Sequence, residues 1–338
     1  MKPVIACTIG DANGIGPEVL LKAITAPSLS SRMTPLLIGP PESFEFYVKR
    51  FGLRLRLEEI LPSAHSVPAE LWKSGRIPVI RNFDGCGSTV RPGTLHRSSG
   101  RVAASAIITA TALVRAGLAH ALVTAPVSKQ ALHMAGALVP GQTELLQKLT
   151  GSPTVAMMLV DHGMRVGLVT IHVPLRKVPS LLTTHLLRER ITTIRQALLS
   201  DWRIKEPRIA VLGLNPHAGE QGDIGSEDKA IIKPTIAYFR RKGWEMSGPH
   251  PADAFFARYN PRAQDAVVAM YHDQGLIPLK MHAAGGGVNV TVGLPIVRTS
   301  PDHGTAFDIA GEGIADPTST IEAIRLAERI IKNRWKID

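Results

Sequence analysis

Val4-Ile5-Ala6-Cys7-Thr8-Ile9-Gly10-Asp11-Ala12-Asn13-Gly14-Ile15-Gly16-Pro17-Glu18 is an apolar run of strand length that breaks into a Gly-rich turn and restarts as a helix. Proline in the first helical turn marks the restart, because its missing N–H would have no intrahelical partner there. The same alternation repeats along the chain. Leu36 to Ile38, Ala121 to Val123, Thr154 to Leu159, Val166 to Ile171, Ile209 to Leu212 and Val267 to Met270 read as buried strands. Pro17 to Ile24, Gly100 to Arg115 and Ile231 to Arg241 read as helices, the last two closed by Gly117 and Gly243. Strands alternating with helices predict an α/β fold with mostly parallel sheet.

The chain has 338 residues and is 44% hydrophobic, enough for a large core and for about two domains. The stretch from Leu61 to Gly93, rich in Pro, Ser and Gly, reads as the most loop-like, and the final helix, Thr318 to Trp335, is expected to return to the N-terminal half. No apolar run approaches the roughly 18 residues of a spanning helix, and Met1-Lys2-Pro3 leads directly into a strand, so a cytoplasmic protein without membrane contact is expected. Cys7 and Cys86 form neither a disulfide framework nor a metal knuckle, so any metal must rely on His and carboxylate. The net charge of +11 comes from scattered basic residues with 5% aromatics, which points away from nucleic acid and toward a small anionic partner.

Three histidines each follow an apolar strand, in Thr170-Ile171-His172-Val173-Pro174, Asn215-Pro216-His217-Ala218-Gly219-Glu220 and Met270-Tyr271-His272-Asp273-Gln274-Gly275. Carboxyl ends of parallel strands share one edge, where α/β proteins bind ligands, and three neutral imidazoles there suit a borderline divalent metal such as zinc. Neighbouring Asn, Asp and Glu are suited to orienting the rings. Arg298 to Ala306 reads as a loop rich in hydroxyl, charge and imidazole, with Lys280 and Asn289 shortly before it, a set suited to a phosphate or carboxylate. The turn Gly10 to Glu18 fits neither GxGxxG nor GxxxxGK, and an anion site at its helix and a plain tight turn account for it equally. Ser128-Lys129 reads as a helix start and Asp161-His162-Gly163 as a hairpin turn.

Taken together, these segments resemble the 4-hydroxythreonine-4-phosphate dehydrogenase family. Gly10 to Glu18 resembles its GDPxGIGPE element, Thr124-Ala125-Pro126-Val127-Ser128-Lys129 its APxxK segment, and Gly141-Gln142-Thr143-Glu144 its GHTE. Asn215 to Glu220, Gly248 to Asp253, Tyr271 to Gly275, Val288 to Pro295 and Arg298 to Ala306 continue the match in order.

The resemblance implies two α/β/α domains with a central cleft, similar to the isocitrate and isopropylmalate dehydrogenases, expected here as 1–125 with 300–338 and 126–299. It implies a divalent metal (zinc, with magnesium or cobalt as alternatives) on His172, His217 and His272, one ligand coming from the partner of a homodimer. Substrate contacts fall on Gln142, Thr143, Lys280, Asn289 and Arg298, with NAD or NADP as hydride acceptor. The implied reaction oxidises 4-phosphooxy-L-threonine and decarboxylates the product to 3-amino-2-oxopropyl phosphate, in pyridoxine biosynthesis. Two departures, Gln142 for the histidine of GHTE and Ala254 for the threonine of PADTxF, keep open a sugar-acid phosphate or a terephthalate cis-dihydrodiol as substrate. A noncatalytic metal- or phosphate-binding protein is the reading from another class.

Overall fold

The computed structural model describes residues 2–30, 32–61, 75–82, 89–136, 141–161, 163–283 and 285–335. The chain folds as two compact units, Met1–Gly151 with Leu294–Asp338, and Ser152–Gly293. None of the described helices is long and apolar enough to cross a membrane.

In the first unit, β1 (Val4–Thr8), β2 (Thr34–Ile38), β3 (Arg56–Glu59), β4 (Arg76–Ile80), β5 (Ala121–Thr124) and β12 (Val297–Pro301) pair in the order β3-β4-β2-β1-β5-β12. Every one of these pairings is parallel. The side chains of β2, β5 and β12 are buried throughout, as expected where a parallel sheet is covered on both faces. Helix Thr318–Trp335 does return to this unit. Thr299 Oγ1 donates to Ala323 O at 2.8 Å, and Arg32 Nε meets Glu328 Oε2 at 2.8 Å.

The second unit contains β6 (Ala156–Val160), β7 (Arg165–Leu168), β8 (Ile209–Leu212), β9 (Met246–His250), β10 (Ala266–Ala269) and β11 (Val288–Val292), in the order β11-β6-β7-β10-β8-β9. β11, β6 and β7 pair antiparallel, whereas β7, β10, β8 and β9 pair parallel. Asp161 turns the β6–β7 hairpin by accepting Gly163 N and Met164 N on Oδ1, at 2.8 and 2.7 Å, while His162 lies outside the described residues.

Several expectations are revised here. The units divide at 151/152 and 293/294 rather than at 125/126 and 299/300, because helices Lys129–Met134 and Gln142–Thr150 pack on Arg97–Arg115 of the first unit. Arg115 Nη1 donates to Leu149 O at 2.9 Å. Arg298 lies in β12, a strand with no apolar run to announce it, since four of its five residues are Arg, Thr, Ser and Pro. β4 falls inside the stretch expected to be loop, of which 62–74 and 83–88, with Cys86, lie outside the described residues. Cys7 is a buried thiol, and burial pushes it up to about 12.

Gly100 marks a close helix contact. A Cβ there would lie 2.0 Å from Ala131 O and 2.3 Å from Ala131 C, both backbone atoms. Gly→Ala in an unobstructed helix raises stability by about 0.5–1 kcal/mol. Gly100→Ala is expected to lower it instead, by about 1–3 kcal/mol, as overpacking does. Urea denaturation measures the sign directly, and a gain in stability would refute this close approach.

Candidate functional site

In the second unit, β7, β10 and β8 lie side by side and parallel, so their carboxyl ends share an edge. His172, His272 and His217 follow these three strands in turn. Beyond the β7–β10 ladder the chains stay together, because Val169 N donates to Ala269 O at 2.9 Å and Thr170 Oγ1 to Met270 O at 2.7 Å. That linkage brings the rings of His172 and His272 to a centroid separation of 5.6 Å, inclined at 43°. Asp273 Oδ1 sits 2.7 Å from His272 Nδ1 and orients that ring.

His217 is held differently. From His217 to Gln221 every residue has positive φ, between 39° and 76°, and only Gly219 takes this conformation without strain. Asp228 pins the segment from below: Oδ1 accepts Leu214 N at 2.8 Å, and Oδ2 accepts Asn215 N at 3.1 Å and Asn215 Nδ2 at 2.9 Å. Asn215 is thereby committed to its own turn. Among the described residues no three His, Cys, Asp or Glu side chains converge as a metal-holding group, so this chain assembles the His172–His272 pair without His217. A fourth histidine ends the neighbouring strand. His250, the last residue of β9, has its ring 2.9 Å from Ser247 Oγ, and burial lowers its pKa.

Lys280 is exposed on helix His272–Ala283, whereas Asn289 in β11 has a buried side-chain oxygen without a hydrogen-bond partner among the described residues. Buried acceptors are nearly always satisfied, so Asn289 Oδ1 is an acceptor suited to a ligand donor. A cavity of about 300 Å³ borders the start of this helix, lined by Asp253, Phe256, Tyr271, Asp273 and Ile277 among others.

In the first unit Arg298 is buried at 3% exposure. Thr124 Oγ1 accepts from its Nε at 3.2 Å and from its Nη2 at 2.7 Å, and Gln142 Oε1 accepts from Nη2 at 2.9 Å. Burial lowers the Arg298 pKa to about 10, opposed by the charge of Glu144. The guanidinium therefore stays charged near neutral pH at a desolvation cost that a bound anion would offset. Gln142 opens helix Gln142–Thr150 and Thr143 is buried beside it.

The Gly10 to Glu18 turn is built as a structural joint. Its amides are taken by Pro126 O, Asp11 Oδ1, Asp11 O and Thr305 O, and its buried carboxylates, Asp11 and Glu18, disfavour an anion. Ser128 caps helix Lys129–Met134, accepting Ala131 N at 3.1 Å.

The family described as pyridoxal phosphate biosynthetic protein PdxA matches residues 31–327. The chain belongs to this family. Among PdxA relatives, the 4-hydroxythreonine-4-phosphate dehydrogenase of Prosthecochloris aestuarii is 43% identical over 334 residues, covering 97% of each chain. The crystal structure of the enzyme of the same name from Klebsiella pneumoniae is similar over 98% of both chains, with a TM-score of 0.86 and 38% identity. A terephthalate 1,2-cis-dihydrodiol dehydrogenase from Burkholderia xenovorans is a more distant neighbour, at TM-score 0.63 and 29% identity over 97% of this chain and 98% of that one. PdxA membership makes the chain a dehydrogenase by family.

Sequence places Thr124 and Gln274 inside family motifs without giving them a role and leaves Asp228 outside them, because each acts through a contact distant along the chain or through backbone groups. Thr124→Val keeps the shape and removes two hydrogen bonds from a buried charge. It is expected to cost about 1.5–3 kcal/mol, read by thermal unfolding. Unchanged stability would show that Thr124 does not hold Arg298.

Proposed function

We propose that this PdxA-family chain is a cytoplasmic, homodimeric NAD- or NADP-dependent 4-hydroxythreonine-4-phosphate dehydrogenase. The observation that carries this is the full-length similarity, about 40% identical, to relatives bearing that name. Gln142, Thr143, Lys280, Asn289 and Arg298 are the proposed substrate contacts. His172, His217 and His272 are the proposed metal ligands, one imidazole coming from a second copy, and the His172–His272 pair with Asp273 behind it fits part of such a donor set. A bound divalent metal, zinc before magnesium or cobalt, supplies Lewis acidity toward the substrate's hydroxyl and the carbonyl it becomes.

The residues of the chain bind and orient the substrate. Arg298 and Lys280 neutralise its anionic groups, and Asn289 Oδ1 accepts from a substrate donor. A bound nicotinamide would supply the hydride acceptor: the hydrogen on the substrate's hydroxyl-bearing carbon would pass to it with its electron pair as the hydroxyl proton is released, leaving a ketone β to the carboxylate. The C–C bond to that carboxylate then breaks, its electron pair entering the enolate as carbon dioxide departs. Protonation yields 3-amino-2-oxopropyl phosphate.

Gln142 supports a second reading. Where the family motif has histidine, glutamine is a neutral donor and acceptor with no charge near neutral pH, and the dihydrodiol dehydrogenase neighbour shows that the architecture serves another substrate class. Mixing purified protein with NAD or NADP, a divalent metal and 4-phosphooxy-L-threonine, a sugar-acid phosphate or a terephthalate cis-dihydrodiol, while following nicotinamide absorbance, tests both. Turnover only with one of the latter two overturns the first reading, and no turnover with any overturns both. With the best substrate, Arg298→Ala is expected to raise KM about tenfold to a hundredfold, the equivalent of roughly 1.5–3 kcal/mol for one charged contact. An unchanged KM would remove Arg298 from the substrate site.

A further inference from the structure

We propose that Gln274 is a positioning residue that sets the spacing of the histidine-bearing strand ends in the second unit. Its buried side chain uses both ends of the amide: Oε1 accepts Met270 N at 2.6 Å and Nε2 donates to Gly213 O at 2.6 Å. Met270 stands two residues before His272, and Gly213 four before His217. The β10–β8 ladder ends at Val268 and Val211, so the Gln274 amide supplies a cross-link where backbone pairing has stopped. On the other side of β10, Met270 O takes Thr170 N at 3.1 Å and Thr170 Oγ1 at 2.7 Å, two residues before His172. A continuous series of hydrogen bonds thus runs Thr170, Met270, Gln274, Gly213 across the ends of β7, β10 and β8.

The chemistry selects glutamine. One side chain must present an acceptor and a donor in opposite directions, and the isosteric glutamate has no donor for Gly213 O. Gly275 lets the helix approach closely enough for this reach, since a Cβ there would meet Val166 Cγ1 at 2.6 Å. Ligand-orienting groups of this kind typically change metal affinity by roughly tenfold to a hundredfold when lost.

The inference rests on the proposal that these histidines hold a divalent metal. The test uses full-length apoprotein and zinc alone, with affinity measured against a chromophoric chelator for the parent protein, Gln274→Glu, Gln274→Met and Gly100→Ala. Gly100→Ala controls for lost stability, because it lies in the other unit. The expected result is zinc affinity reduced roughly tenfold to a hundredfold in both Gln274 variants and unchanged in Gly100→Ala at a comparable melting temperature. Gln274 variants that bind zinc like the parent overturn the positioning role. So does failure of both to fold, because the amide would then serve the fold as a whole. A parent protein that binds no zinc overturns the metal reading instead.

Discussion

Parallel strand pairing is the constraint on which the second unit's candidate site depends. β7, β10 and β8 run in the same direction and side by side, so the residues that follow them emerge at one edge, whatever the loop lengths between them. Histidines more than forty residues apart become neighbours through that geometry alone, as His172 and His272 show. Apart from Arg165 at the start of β7 the strands are apolar and buried, so polar chemistry is displaced to their ends, where loops supply donors and acceptors that the ladder no longer satisfies. Thr170, Gln274 and Asp228 do this work, each using a side chain to complete backbone hydrogen bonding next to a histidine.

The first unit meets a different demand. Arg298 is a cation within a buried strand, and burying a charge is tolerated when acceptors replace the lost water. Thr124 on the adjoining strand and Gln142 at a helix start provide them. Because the charge is desolvated yet retained near neutral pH, an anion brought to it would gain more than it would at a solvated arginine. The same position in the strand that makes Arg298 expensive to bury also fixes where its charge is presented.

Backbone strain is concentrated near one of the three histidines. The left-handed run from His217 to Gln221 persists because Asp228 and the close packing of Gly213 against Ala218 over-determine it. His172 and His272 need no such device, since their strands pair directly. His217 therefore sits on a strained segment held by Asp228, and Gln274 ties the start of that segment, through Gly213, to Met270 beside His272.

The sequence by itself determined the α/β class, the alternation of buried strands with helices, the family, and the three histidines after strands, because periodicity, Gly and Pro punctuation and residue type are local properties. Five strands escaped that reading. β3, β9 and β12 are too polar to be told from loops, β4 lay in a Pro- and Gly-rich stretch, and β11 follows a run of glycines. Only the tertiary structure decided that Arg298 lies in a strand against Thr124, that helices Lys129–Met134 and Gln142–Thr150 belong to the first unit, and that Gln274 bridges Met270 to Gly213. Each of these depends on which distant backbone a side chain meets. A buried polar group takes whatever partner the fold brings within reach, and that partner is set by strand order in space rather than by neighbours along the chain.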